Sequence, residues 1–130
     1  MDRSRDLMAD SEDFLGAAVD LLKSARWSKV CFNAQQAAEL ALKAVLNRLG
    51  VERRSHALTE LLDEISNHLP DAKKFEDYVK VLDQYYIPTR YPNAYPSGPA
   101  KDRYTKTQAE QAVKLASELL SWAKNHVLQR

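Results

Sequence analysis

The sequence predicts an all-α protein, an up-and-down bundle of four to five antiparallel helices. Three observations predict it. Apolar residues recur at three- and four-residue spacings in five separate stretches. The alternation expected of strands is almost absent. Helix-ending residues, Gly50, Pro70 and Pro88, stand where the periodic stretches stop. A chain of 130 residues has the length of one domain, here taken as 1–130.

Each element has its own justification. Residues 4–24 place Leu7, Phe14, Ala17, Ala18, Leu21 and Leu22 at mostly helical spacings. Residues 27–49 carry Val30, Ala34, Ala37, Ala38, Ala41, Val45 and Leu49 on one side, and Gly50 follows where a left-handed C-terminal cap belongs. Ser55 is placed to cap a shorter helix bearing Leu58, Leu61, Leu62 and Ile65, which ends before Pro70. Asp71 is placed to cap the next, with Ala72, Phe75, Val79, Leu82 and Tyr86 on its buried face and Pro88 ending it. After a loop, Thr107 and Glu110 fit a capping box ahead of Ala112, Val113, Ala116, Leu119, Leu120, Ala123 and Val127.

Composition narrows the function. Lys plus Arg number 19 against 18 for Asp plus Glu, so any nucleic-acid site must be a local patch and not a global charge. A lone cysteine, Cys31, rules out an internal disulfide framework and fits a reducing, cytoplasmic setting. The charged opening segment and the lack of a membrane-length apolar run predict neither a secretion signal nor an anchor. The three glycines are scattered, so there is no Gly-rich phosphate loop, and no histidine pair has metal-ligand spacing. No metal and no cofactor are expected.

Residues 85–96 carry the strongest functional signal. Four tyrosines, three prolines and Arg90 lie within these twelve residues. Proline limits the conformations of a loop, so its side chains are held in place at low entropic cost. An arginine beside ordered rings suits a phosphate with a base stacked next to it; the alternative is a rigid loop whose tyrosines close the core. Upstream, Asn33, Gln36, Glu39 and Lys43 form a polar stripe along the second helix, read either as a binding face or as a solvated face with an intrahelical ion pair. Tyr78, Val81 and Tyr85 add a second apolar stripe to the fourth helix, which calls for a second packing partner such as another copy of the chain. Basic residues gather in two weak clusters, Arg90, Lys101, Arg103 and Lys106, and Arg48, Arg53 and Arg54.

The run Cys31-Phe32-Asn33-Ala34-Gln35-Gln36-Ala37-Ala38-Glu39-Leu40-Ala41-Leu42-Lys43-Ala44, then His56 with Leu58, Leu82-Asp83, and Tyr86-Ile87-Pro88-Thr89-Arg90-Tyr91-Pro92, resembles a HEPN domain, in particular the small stand-alone prokaryotic members. The resemblance covers nearly the whole chain. It implies a helical bundle that forms a homodimer with a polar cleft near the two-fold axis, binding nucleotide or RNA. Members often accompany a minimal nucleotidyltransferase, sometimes as a toxin–antitoxin pair. The ligand-binding residues expected here are Gln36, Glu39, Lys43, Asp83, Tyr86, Arg90 and Tyr91.

Many members are metal-independent ribonucleases that carry an arginine followed, four to six residues on, by a histidine. Arg90 matches the arginine, but Tyr95 stands after four intervening residues, and no histidine follows until His126. A tyrosine, with an ordinary pKa of about 10, is a poor base at neutral pH. Cleavage by attack of a 2′-hydroxyl needs a base, an acid and a cation for the developing charge. Arg90 supplies the cation, Asp83 is placed seven residues earlier to orient it, and His56, in the turn before the third helix, is the remaining base. A histidine at such a place is more often a structural hydrogen-bonder. His68 and His126 sit near helix ends and receive no role. Nucleotide or RNA binding is therefore the expected function. The alternatives are an endoribonuclease using Arg90, Tyr95 or His56, and a structural dimerisation module.

Overall fold

The structure, a computed structural model, describes residues 1–86 and 97–129. Helices α1 (Ser4–Lys23), α2 (Trp27–Leu49), α3 (Leu58–Ser66), α4 (Glu76–Asp83) and α5 (Lys106–Leu128) follow in order. Short 3-10 turns, Pro70–Phe75 and Ala100–Arg103, lead into α4 and α5. Among the described residues there is no strand, and no helix is long and apolar enough to cross a membrane.

Helix α2 is the axis of the bundle. It packs against α1, α5, α3 and α4, and buries Val30, Cys31, Ala34, Ala37, Ala38, Ala41, Leu42, Ala44, Val45 and Leu46. So much alanine leaves little between backbones, and α1 approaches closely enough for the buried Ser11 Oγ to donate to the Ala37 carbonyl at 2.7 Å. The expected apolar face of α1 is therefore rotated. Met8, Ser11 and Ala18 are buried, whereas Leu7, Phe14, Leu21 and Leu22 are half-buried at its edge.

At one end of the bundle Arg48, in the last turn of α2, donates to Asp2 Oδ2 at 2.9 Å and to the Gln129 carbonyl at 3.0 Å. The start of α1 and the ends of α2 and α5 thus meet. Helix α1 runs against both, and α2 and α5 run in the same direction. The α1–α5 contact is fastened by Lys124 on Glu12 at 2.9 Å.

Helix ends show where local signals suffice. Gly50 has φ 75°, and the N–H groups of Gly50 and Val51 return to the carbonyls of Asn47 and Leu46, closing a Schellman cap where the glycine predicted it. Helix α1 ends in the same motif, with Ala25 N–H on Leu22 and Arg26 N–H on Leu21. Here the left-handed position is held by an alanine at φ 61°. Nothing in the sequence announces it, because a β-carbon is disfavoured there.

Three expected caps are different in the structure. Ser55 does not cap α3: its hydroxyl accepts from the Ala57 N–H at 3.0 Å and donates to Glu60 at 2.6 Å. Asp71 lies in the 3-10 turn before α4 and accepts the indole N–H of Trp122 at 3.1 Å, so the α-helical stretch begins five residues later. The capping box of α5 is Thr105 with Gln108, not Thr107 with Glu110. Both pairs fit the pattern. The earlier one wins because Tyr104, buried edge-on against Tyr85 at 5.9 Å, fixes where the chain arrives.

The second stripe of α4 also finds its partner within the chain. Tyr85 is only 4% exposed, and burial first, then the nearby Cys31, pushes its hydroxyl pKa up to about 12. Tyr78 lies edge-on to Phe75 and bonds to Glu118 of α5, which raises its pKa. Cys31 is a core residue, its thiol pushed by burial to about 12.

Ala25 is the position with stability to gain. Ala25→Gly removes the β-carbon from a left-handed residue and is expected to stabilise the fold by about 0.5–1 kcal/mol. That corresponds to a rise of roughly 2–4 °C in calorimetric Tm, and an unchanged or lower Tm would show that the α1 cap carries no strain.

Candidate functional site

The site is built on the part of α2 that turns from core to surface. Gln35 is fully buried and Glu39 nearly so, one turn apart, and neither can reach bulk water. A buried carboxylate needs donors, and the chain supplies three. Glu39 Oε2 accepts from Lys43 Nζ at 2.8 Å and lies 3.1 Å from His56 Nδ1, while Oε1 accepts from Gln35 Nε2 at 3.3 Å. Gln36 Nε2 donates to Gln35 Oε1 at 2.7 Å and extends the chain outward. A carboxylate only accepts, so the His56 contact is a hydrogen bond when Nδ1 carries the proton; in the neutral ring this leaves the lone pair on Nε2.

The Glu39 side chain is 7% exposed, that of Lys43 29% and that of His56 65%. The network thus runs from a buried anion to two accessible cationic or cationisable groups. His56 also lies parallel to the Tyr86 ring, 10° between planes and 5.4 Å between centroids.

Asp83 joins this group by an unexpected route. Its carboxylate accepts the backbone N–H of Leu58 at 2.6 Å and of Thr59 at 3.1 Å, the first two residues of α3. It is the N-terminal cap of α3, supplied by the end of α4. A carboxylate there satisfies two orphan donors and complements the helix dipole. The same contact holds the turn carrying His56 against the segment carrying Tyr86. The other role expected of Asp83, orienting Arg90, involves a residue outside the described ones.

Of the residues singled out from the sequence, Glu39, Lys43 and His56 are in direct contact, Tyr86 stacks on His56, and Gln36 reaches them through Gln35. Arg90, Tyr91 and Tyr95 lie outside the described residues. Asn33 is not in the group: its amide donates back to the Lys29 carbonyl at 2.7 Å. Gln35 was missed. Its spacing of four from Glu39 on an otherwise alanine-rich buried face was the available signal. Of the basic clusters, Arg48 pairs with Asp2, Arg53 with Glu60 and Arg54 with Glu52, while Arg103 bonds to Ser97. Among the described residues, no three His, Cys, Asp or Glu side chains converge as metal ligands do.

The chain matches the HEPN domain family over residues 4–126. It belongs to the HEPN family. Solved structures of the same shape include TT1696 from Thermus thermophilus, 37% identical, with TM-score 0.92 over 97% of this chain and 99% of that one. ST0689, an archaeal HEPN homologue, is 31% identical with TM-score 0.82 over 98% and 99%. A HEPN domain protein from Thermotoga maritima is 28% identical with TM-score 0.74 over 92% and 95%. A search of curated proteins found no match to this chain. In this HEPN protein the polar stripe of α2 and the turn before α3 meet at Glu39, and the end of α4 joins them through His56 and the start of α3.

Asp83 is the cheapest test of how this HEPN site is held. Asp83→Ala is expected to cost about 1–2 kcal/mol as a lost cap, lowering Tm by roughly 4–7 °C. It should also shift the amide resonances of Leu58, Thr59 and His56, and Asp83→Asn should lose about half as much. Unmoved resonances in Asp83→Ala would mean that the turn before α3 does not depend on this carboxylate.

Proposed function

We propose that this HEPN protein binds nucleotide or RNA in a polar cleft of a homodimer, as the partner of a minimal nucleotidyltransferase of the toxin–antitoxin type. One observation carries the reading: Lys43 and His56 present accessible donors beside the Tyr86 ring, at the root of the segment that contains Arg90. Arg90 follows Tyr86 by four positions, and such a stretch spans at most roughly 14 Å. On that closeness in sequence Arg90 is assigned to the same cleft. A phosphate would be met by Arg90 and Lys43, with a base stacked on Tyr86 or His56. Tyr91 is close enough in sequence to extend the stack. Half-buried Leu7, Phe14, Leu21 and Leu22 on α1 leave apolar surface for a second copy.

A second reading, a metal-independent endoribonuclease, is favoured by the Glu39–His56 contact. A carboxylate on Nδ1 holds the tautomer in which Nε2 can take a proton from a 2′-hydroxyl. It ranks second because Tyr95 stands where nuclease members carry histidine. A purely structural dimerisation module ranks third, since it gives Lys43 and His56 no ligand.

Two measurements test the proposal. Light scattering at micromolar concentration is expected to report about twice the 14.8 kDa chain mass, and a monomer would remove the shared cleft. Fluorescence anisotropy with labelled single-stranded RNA should show binding that weakens as salt rises. Arg90→Ala should weaken it about fivefold or more with Tm unchanged. Cleavage assays on the same RNA with chelator present should show little activity in the natural chain and a gain in Tyr95→His. Strong chelator-resistant cleavage by the natural chain, lost in His56→Ala, would reverse the ranking. Absence of RNA or nucleotide binding by both the natural chain and Glu39→Gln would leave the structural module.

A further inference from the structure

The arrangement around Glu39 has an unusual sense for an anion-binding site. The two accessible donors that a phosphate would use, Lys43 Nζ and His56 Nδ1, already converge on one carboxylate oxygen, at 2.8 and 3.1 Å. That oxygen belongs to a side chain too buried to move into water, held from its other oxygen by the fully buried Gln35. The donor set is therefore already satisfied by an anion built into the fold.

We propose that Glu39 is an internal counter-anion, competing with a ligand's phosphate for Lys43 and His56 and thereby holding the cleft's affinity below what its cations alone would give. The inference rests on the phosphate-binding reading above. Its physical basis is electrostatic. With His56 neutral, Glu39 and Lys43 cancel, and the pair offers a ligand no net positive charge. With Glu39 neutralised, Lys43 is left as a net cation, with His56 able to turn toward a ligand. A unit charge several ångströms from a phosphate, at the effective dielectric of a protein surface, changes binding by a measurable factor. The other charged groups nearby do not replace Glu39. Asp83, whose carboxylate accepts from the Leu58 and Thr59 N–H groups, keeps its charge whichever residue stands at 39, and Arg53 pairs with Glu60 and Arg54 with Glu52.

The consequence is opposite to that of an ordinary binding residue: removing the charge should strengthen binding. The test compares the natural chain with Glu39→Gln, which keeps the shape, removes the charge and leaves one carbonyl oxygen to accept where the carboxylate had two. Two probes are used, a fluorescein-labelled twelve-nucleotide oligouridylate and, separately, inorganic pyrophosphate. Glu39→Gln is expected to bind both about three- to tenfold more tightly at low ionic strength, with the gain shrinking in high salt. Adding Lys43→Met to Glu39→Gln should abolish the gain. Weaker or equal binding by Glu39→Gln, with the natural chain still binding, would overturn the counter-anion role and leave the binding function standing. Binding by Glu39→Gln alone would confirm the counter-anion and show that it masks the cleft. No binding by either would overturn both. If Glu39→Gln does not fold, as a melting curve would show, Glu39→Asp takes its place. It withdraws the carboxylate by one methylene and should give a gain of about twofold, and no gain would overturn the proposal.

Discussion

The deep burial of the alanine-rich face of α2 is the constraint on which the rest of this structure depends. Helices α1, α5, α3 and α4 all pack on it, and its alanines let α1 approach until Ser11 reaches the Ala37 carbonyl. A helix so enclosed cannot leave a polar side chain unsatisfied, because an unpaired buried charge costs several kcal/mol. Ser28, Gln35 and Glu39 nevertheless lie in its buried face. The polar network around Glu39 is the answer to that requirement. Lys43 comes from the next turn of the same helix, Gln35 from the previous one, and His56 from the chain seventeen residues on.

This makes structure and candidate function two aspects of one arrangement. The donors that neutralise Glu39 are the groups with access to solvent, so satisfying the core also places cationic chemistry at the surface. Asp83 does comparable work from the other side. By capping α3 it ties the end of α4 to the turn before α3, and so sets Tyr86 beside His56. The bundle's short helices α3 and α4 thus shape the cleft together with α2.

Local chemistry made much of the fold legible. The bounds of α2 and the left-handed cap at Gly50 follow from periodicity and one glycine. The polar stripe through Gln36, Glu39 and Lys43 was visible in the same way, because residues three and four apart share a helix face. The stripe of Tyr78, Val81 and Tyr85 was visible too, but its partner was not. Tyr85 is taken up by Tyr104 and Tyr78 by Phe75 and Glu118 of the same chain. Periodicity reveals that a face is apolar and is silent about what covers it.

What the sequence by itself determined is the all-helical class, the order of the five helices and the membership suggested by its ordered motifs. These depend on relations among residues within a turn or two of one another, or on residue types in sequence. What only the tertiary structure decided is which polar groups meet. Asp83 caps a helix that starts 25 residues earlier, Asp71 accepts from an indole 51 residues later, and Tyr104 selects one of two equivalent capping boxes. A carboxylate can accept from any donor within hydrogen-bond reach, so its partner is fixed by which helices lie side by side. The common direction of α2 and α5, and the burial that turns Glu39 from a surface ion-pair member into the centre of the site, are settled only when the helices pack.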